Sequence, residues 1–345
     1  MFITRGDRKM NKTISRDPYF DNAKFILIFL VVFGHMISPF KGDSDMLYAL
    51  YNFMYSFHMP AFILIAGYFS KGCFQKGYLK KIMQKVLIPY FIFQFIYAVF
   101  YSIKKGEITF TLFDPYWTLW FLLSLVCWNL LLIGFARLKY FTAIFSAVTI
   151  GLIIGYIPEI GTFLSLSRTF VFFPIFLLGF YLSEKHFKEL VEPKKRMIAA
   201  FCLVSLFLCY YFVFPASTKE WLLADSSYSE MGIQEGYAAL MRLIVYGIVF
   251  LATFSFLAVV PRRELFFTRY GSRTMYIYLL HGFIVKLFRL TPFYESISKS
   301  NMYVLFFILA IFLCCILASK PVIKIFHPLI EGGKYLLIKR KTSYH

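Results

Sequence analysis

Ten apolar segments, separated by short polar connections, run along the 345 residues of the chain. They contain few charges, which is typical of transmembrane helices, because the bilayer interior disfavours charged groups and forces the backbone to bond within its own helix. The pattern predicts an all-α polytopic membrane protein with about ten transmembrane helices. The predicted spans are residues 24–40, 48–70, 86–103, 117–136, 141–157, 169–183, 197–214, 240–260, 274–290 and 301–318.

The basic residues predict the orientation of these spans. With a cytoplasmic N-terminus, roughly three quarters of the 37 Lys and Arg residues fall on the inner connections, as the positive-inside rule requires. An even number of spans then places both termini in the cytoplasm. We expect a multi-pass protein of the plasma membrane, with a cytoplasmic N-terminal segment over residues 1–20, a membrane domain over residues 21–318 and a cytoplasmic basic tail over residues 319–345. The first apolar segment lacks a small-residue cleavage site and is expected to stay in place.

Composition excludes several classes of protein. A hydrophobic fraction of 59% and a mean hydropathy of +0.67 are far too high for a soluble globular domain. The net charge of +19 is explained by topology and by contact with anionic lipid, so we expect no nucleic-acid partner. The six cysteines lie in or beside apolar runs without metal-ligand spacing, and we expect no metal.

The first span carries an unusual polar stripe. Lys24 and His35 are eleven residues apart, which is about three helical turns, so both lie on one face about 16 Å apart along the axis. Asp21 and Ser38 extend the same stripe. Polar groups inside a membrane persist where they face a protein interior or a wet cavity, so this face is predicted to point inward.

Two further spans bury histidine. His58 lies beside Pro60, which is expected to bend the second span and leave irregular backbone next to the imidazole. Tyr278 and His281 share one face of the ninth span with Thr274. A single buried histidine is often structural, but three on helices that can converge favour chemistry or conduction in an intramembrane cavity.

Several features at the predicted outer boundary of the membrane allow two interpretations. Trp117 is interpreted as part of an aromatic belt, whereas Trp120, one turn deeper, is a candidate stacking surface for a sugar ring or a second belt residue. Arg168 either snorkels to the outer surface or binds an anionic or hydroxyl-rich partner. The outer loop over residues 215–236 either caps a cavity or is an ordinary solvated loop.

Several of these stretches resemble, in order, the recurrent motifs of the membrane-bound acyltransferase 3 family. Lys24, ten residues and then His35 resemble the family's basic residue and histidine signature on the first helix. The Asp-Asn-Ala-Lys opening at residues 21–24 is similar to the fucose-4-O-acetylase-like and exopolysaccharide O-acyltransferase branch. The remaining similar stretches are residues 57–62, 66–68, 119–122, Arg168 with 173–179, and 276–281.

The resemblance implies an O-acyltransferase with acetyl-CoA as the usual donor and a hydroxyl of a sugar or cell-surface glycan as acceptor. O-acetyl and O-succinyl transfer both stay open. His35 is expected to act as general base or as acyl carrier, since burial in a medium of low dielectric favours the neutral imidazole. The donor candidates are Asp21, Lys24, Lys71, Lys80 and Lys81, and the acceptor-side candidates are Asn52, His58, Trp120, Arg168, Tyr278 and His281.

The chain departs from the family pattern at one point, and two alternatives to an enzyme stay open. Many relatives carry an arginine pair near the third helix, where this chain has lysines, so the donor contacts are less well defined. A polysaccharide or small-molecule transporter without chemistry would also use buried histidines, a kinked helix and a basic inner face. A non-catalytic assembly partner would need no polar stripe.

Overall fold

The computed structural model describes residues 17–105, 111, 113–161, 163–215, 217–233, 235–299 and 302–332. Over these residues the chain forms helices and no strands, as predicted. The α-helices are α1 Pro18–Ile37, α2 Asp45–Tyr55, α3 His58–Tyr68, α4 Tyr78–Ile82, α5 Ile88–Lys105, α6 Trp120–Phe135, α7 Tyr140–Ile153, α8 Leu166–Tyr181, α9 Glu184–Leu190, α10 Pro193–Phe212, α11 Thr218–Leu223, α12 Glu235–Val259, α13 Thr274–Phe288, α14 Pro292–Lys299, α15 Val304–Leu317 and α16 Lys320–Glu331.

Among the described residues, seven helical stretches are long and apolar enough to cross a membrane. They coincide with seven of the ten predicted spans. Of the other three, residues 141–157 form a shorter apolar helix, residues 274–290 contain α13, and residues 301–318 contain α15, which bends by 67° into α16. Ten spans and the cytoplasmic termini stay predictions, and residues 1–16 and 333–345 lie outside the described part of the chain.

The start of α1 is fastened to the connection between α12 and α13. The Asn22 side chain is fully buried and donates to the carbonyls of Pro261 and Arg263, each at 2.9 Å, while its oxygen accepts from the Thr268 hydroxyl at 2.6 Å. A Cβ on Gly271 would overlap the carbonyl of Asp21, so the two segments touch backbone to backbone. These bonds fix α1 and therefore the height of its polar stripe.

The second span is interrupted beside His58, as Pro60 predicted. α2 ends at Tyr55 and α3 begins at His58, so Ser56 and Phe57 form the break and Pro60 falls in the first turn of α3. Proline is tolerated there because that position lacks an intrahelical partner. The Met54 carbonyl, close to the break, accepts a hydrogen bond from the His58 side chain at 2.7 Å.

The third span contains a feature that the sequence did not predict. Residues Met83–Leu87 form a π-helix between α4 and α5. The extra residue per turn shifts the register of the side chains, and such bulges are frequent at functional sites. Lys85 and Val86 of this segment line a cavity described below.

α3 and α8 cross with their backbones in close contact. A Cβ on Gly67 would overlap the carbonyl of Phe176, and a Cβ on Gly179 would overlap the carbonyl of Leu64. Small residues at reciprocal positions are the usual way for membrane helices to approach this closely, because packing replaces the hydrophobic effect as the driving force. The crossing holds the His58 segment against the helix that carries Arg168.

We expect Gly67→Ala to destabilise the protein by about 1–3 kcal/mol, because the added methyl forces α3 and α8 apart. The check is the thermal unfolding midpoint in detergent. Gly247→Ala, at an exposed position of α12, is the matched control, since a Cβ there meets nothing within 4 Å. A Gly67→Ala midpoint equal to that of the control would contradict this crossing.

Candidate active site

A cavity of about 240 Å³ lies where α1, α3, α6, α8 and α13 approach one another, and we call it the outer cavity after the predicted orientation. Five of the predicted site residues, which are distant from one another in the sequence, line this cavity. These are His35, His58, Trp120, Arg168 and Tyr278. The stripe on α1 was predicted to point inward, and two of its members, His35 and Ser38, line this cavity.

The His35 imidazole is half-buried and lies among aromatic rings. Its centre is 4.6 Å from the Trp117 ring and 5.4 Å from the His281 ring, which is inclined to it by only 25°. His281 is fully buried and lies behind His35 as seen from the cavity lining. The two imidazoles therefore form a pair, with His35 as the member that reaches the cavity.

Bonds to backbone carbonyls fix the tautomers of the other two histidines. Nδ1 of His58 lies 2.7 Å from the Met54 carbonyl, and Nδ1 of His281 lies 2.7 Å from the Tyr278 carbonyl. A carbonyl can only accept, so in each ring the proton sits on Nδ1 and Nε2 is left as an acceptor. Both histidines therefore offer a lone pair to a hydroxyl or to a protonated neighbour.

Arg289, at the end of α13, holds the backbone that carries His35. Its guanidinium donates to the His35 carbonyl and, at 2.8 Å, to the Ser38 hydroxyl, and so satisfies groups at the C-terminal end of α1. Arg289 was not among the predicted site residues. Its spacing of eight residues from His281 and eleven from Tyr278 puts it on their helical face, and that signal was available.

Trp117 was interpreted as an aromatic-belt residue, and the structure corrects this. Trp117 lines the outer cavity beside His35, with the Lys286 ammonium 4.6 Å and the Arg289 guanidinium 5.5 Å from its ring. Its φ of +41° is a left-handed conformation that costs energy in a residue with a Cβ. Strain of this kind persists where the surrounding packing enforces it, and here it turns the indole toward His35.

The opposite wall carries a planar polar group over an aromatic face. The Arg168 side chain forms an ion pair with Asp225 at 2.5 Å, donates to the Leu223 carbonyl at 3.1 Å, and lies 4.9 Å above the Trp120 ring. Leu223 and Asp225 belong to the segment over residues 215–236, so this segment contributes to the lining of the cavity, as its interpretation as a cap predicts. Sequence reasoning missed Asp225 as the partner of Arg168.

Two tyrosines of α2 complete the outer cavity and were also missed. The Tyr55 ring lies 4.5 Å from the His58 ring and stacks on Tyr51 at 4.0 Å. Asn52, a predicted acceptor contact on the same helix, is fully buried but is not part of the cavity lining. Helix rotation explains the difference, because Tyr51 and Tyr55 share a face that Asn52 does not.

A second cavity of about 230 Å³, the inner cavity, follows α1 toward its N-terminus. Its lining is mainly apolar, with Lys24 and Lys85 as the cationic members. Lys24 forms an ion pair with buried Asp21 at 2.8 Å, as expected for a carboxylate that holds the lysine. Both cavities share the side chains Val31, Met59 and Tyr278.

The structure does not bring the other predicted donor lysines into this cavity. Lys71 is exposed, donates to the Leu182 carbonyl and lies 4.8 Å from the Tyr68 ring. Lys80 and Lys81 are exposed on α4 and line neither cavity. Lys85, which was not among the predicted donor residues, lines this cavity together with Lys24 and belongs to the π-helical segment.

The sequence is similar to a known family model and to known proteins. The family model described as "Acyltransferase domain" (acyltransferase 3) matches residues 17–320. Nodulation protein NolL of Mesorhizobium japonicum is 35% identical over 127 residues, which are 31% of this chain and 34% of that relative. Nodulation protein NolL of Sinorhizobium fredii is 26% identical over 213 residues, which are 57% of this chain and 55% of that relative. The chain thus spans about a third and about half of these relatives, and no solved structure matches it.

We expect Arg289→Ala to loosen the C-terminal end of α1, because two hydrogen bonds to a charged donor, each worth about 1.5–3 kcal/mol, are lost. Hydrogen exchange measured by mass spectrometry in nanodiscs should show faster exchange of the amides of residues 35–41. Thr291→Ala, an exposed side chain bonded only to the nearby Phe288 carbonyl, is the control. Unchanged protection of that segment would show that Arg289 does not hold it.

Proposed function

The chain belongs to the acyltransferase 3 family, and on that premise we propose that it is an integral membrane O-acyltransferase of the plasma membrane. The proposed reaction moves a short acyl group, acetyl from acetyl-CoA in the first instance, to a hydroxyl of a sugar or cell-surface glycan. Succinyl is the alternative acyl group. The proposed topology places both termini and the donor side in the cytoplasm.

The observation that carries the proposal is the succession of residues along one face of α1. Lys24, Ile28 and Val31 line the apolar inner cavity, and Val31, His35 and Ser38 line the polar outer cavity. Val31 and His35 are four residues apart, which is about 6 Å along the axis. A donor in one cavity and an acceptor in the other would meet within one helical turn of the imidazole.

The inner cavity suits the donor. Its apolar walls match an acyl-pantetheine arm, and Lys24 and Lys85 offer positive charge to the phosphates of CoA. The ion pair with Asp21 keeps the Lys24 ammonium at the level of the first turn of α1. The outer cavity suits a sugar, because Trp120 offers an aromatic face and the Arg168 and Asp225 pair offers donors and acceptors to hydroxyl groups.

In the proposed mechanism the neutral His35 imidazole takes the proton of the acceptor hydroxyl as its oxygen attacks the thioester carbonyl. The carbon–oxygen bond forms, the tetrahedral intermediate collapses, and the carbon–sulfur bond breaks. The imidazolium then returns the proton to the leaving thiolate of CoA. His281, 5.4 Å from His35 and with Nε2 as an acceptor, is positioned to stabilise the imidazolium.

A covalent route uses the same residue. A nitrogen of His35 would attack the thioester, and CoA would leave as the thiol with the proton of the imidazole. The acyl-imidazole would then pass its acyl group to the acceptor oxygen, whose proton returns to the imidazole. The two routes predict different labelling of the protein, and both fit the position of His35 in the outer cavity, one helical turn from Val31.

We expect His35→Ala to lower acyl transfer by about 10²–10⁴-fold, since it removes the general base or the acyl carrier. Purified protein in nanodiscs is incubated with radiolabelled acetyl-CoA, and CoA release and label on the protein are followed. His186→Ala is the control, because His186 serves the N-terminal cap of α9. Near-normal acyl transfer by His35→Ala would contradict both the general-base and the acyl-imidazole mechanism. No turnover and no CoA binding by the unmodified protein would favour the transporter alternative.

We expect Lys85→Ala to raise the KM for acyl-CoA about tenfold with little change in kcat, because a contact to a remote phosphate is equally strong before and during the reaction. Steady-state rates of CoA release give both constants. Lys80→Ala, on the same cytoplasmic stretch but exposed and outside both cavities, should leave the KM unchanged. An equal rise in KM with both variants would contradict a specific contact of Lys85 and would indicate that the lysines attract the anionic donor only through their overall charge.

A further inference from the structure

Three side chains separate the inner from the outer cavity, and we call them the partition. Val31 of α1, Met59 of α3 and Tyr278 of α13 line both cavities. They come from three helices, of which α1 packs on both α3 and α13, so the partition is a property of the tertiary structure. An acyl group bound in the inner cavity can reach an acceptor in the outer cavity only past these side chains.

Two members of the partition are held in place. The Tyr278 hydroxyl donates to the Thr118 carbonyl, and the ring is buried between the Phe121 and His281 rings, at 5.9 and 6.2 Å. Val31 is buried on a helix that is fastened at both ends, and its β-branched side chain has essentially one rotamer there. Neither can move aside without disturbing packed neighbours.

Met59 is the adaptable member. It is half-buried, is the second residue of α3, and follows directly on the break in the second span. Its unbranched side chain has three rotatable bonds and readily fills or vacates irregular space. The size of the opening between the cavities is therefore set by the rotamer of one side chain.

The geometry of α1 locates the thioester of a bound donor. Lys24 and His35 are about 16 Å apart along the axis. The pantetheine arm has about twelve bonds from its phosphate oxygen to its sulfur, equivalent to about four extended residues, or about 14 Å. With the phosphate end near Lys24, the thioester carbonyl arrives at the level of the partition, and the rest of the acyl chain lies against Met59.

We infer that Met59 determines the length of the acyl group that this protein accepts, and that it restricts the donor to the shortest acyl-CoAs. This rests on the proposed function and adds a specificity-determining residue to it. A methyl group fits beneath the Met59 side chain, whereas each further methylene has to displace it or lie in the space that the acceptor needs.

The test compares acetyl-CoA with hexanoyl-CoA as donors for purified protein in nanodiscs, with CoA release as the readout. For Met59→Ala we expect the ratio of hexanoyl to acetyl rates to rise at least about tenfold, since a few methylenes gain space. Met59→Leu conserves the volume and should keep the ratio of the unmodified protein. Val31→Ala opens the partition from the opposite side and should raise the ratio even if Met59→Ala fails to fold.

Two further variants separate the possible results. Met275→Ala enlarges the inner cavity but leaves the three side chains of the partition in place, so its ratio should stay that of the unmodified protein. Exposed Met46→Ala controls for preparation of the protein. A rise with Met275→Ala equal to that with Met59→Ala, or no rise with either partition variant while acetyl-CoA is turned over, would overturn the inference alone. If the unmodified protein releases no CoA from either donor, that result contradicts the proposed function and therefore also this inference.

Discussion

Polar groups in the membrane interior must find partners within the protein, and the architecture of this chain depends on that constraint. No water is available there to satisfy an isolated imidazole, guanidinium or carbonyl, and each unsatisfied group costs several kcal/mol. His58 and His281 meet the requirement at Nδ1, which donates to carbonyls of their own segments. Arg289 meets it by donating to groups at the end of α1. The functional site consists of groups held by these bonds.

The position of His35 follows from bonds at both ends of α1. Asn22 ties the start of the helix to the connection before α13, and Arg289 ties its end to the last turn of α13. The two helices are thereby fixed to each other along their length. The His35 and His281 rings, one on each helix, consequently meet at 5.4 Å in a defined orientation. The same fastening fixes the height of Lys24 and Val31, and thus the division of the space beside α1 into two cavities.

The contrast between those cavities is what would let one helix serve the two proposed substrates. The inner cavity is apolar with lysines, which suits a chain that ends in phosphates, and the outer cavity is aromatic and polar, which suits a hydroxyl-rich ring. A transporter would require a path that opens alternately to the two sides. Here the two cavities are divided by packed side chains at one histidine, an arrangement that favours transfer of a small group over passage of a whole molecule.

The sequence by itself determined the helical class, seven spans that the structure reproduces, the inward face of α1 and the break beside His58. These depend on local properties, namely hydropathy over a segment, spacing along a helix and the missing donor of proline. Only the tertiary structure decided four placements: Asp225 beside Arg168, Trp117 beside His35, Arg289 at the end of α1, and Lys85 in the same cavity as Lys24. The reason is physical. Such partners come from segments that are distant in the sequence. Close helix packing and a π-helical shift of register set the relative rotation and height of these segments, and neither produces a periodic pattern that can be recognised in the sequence.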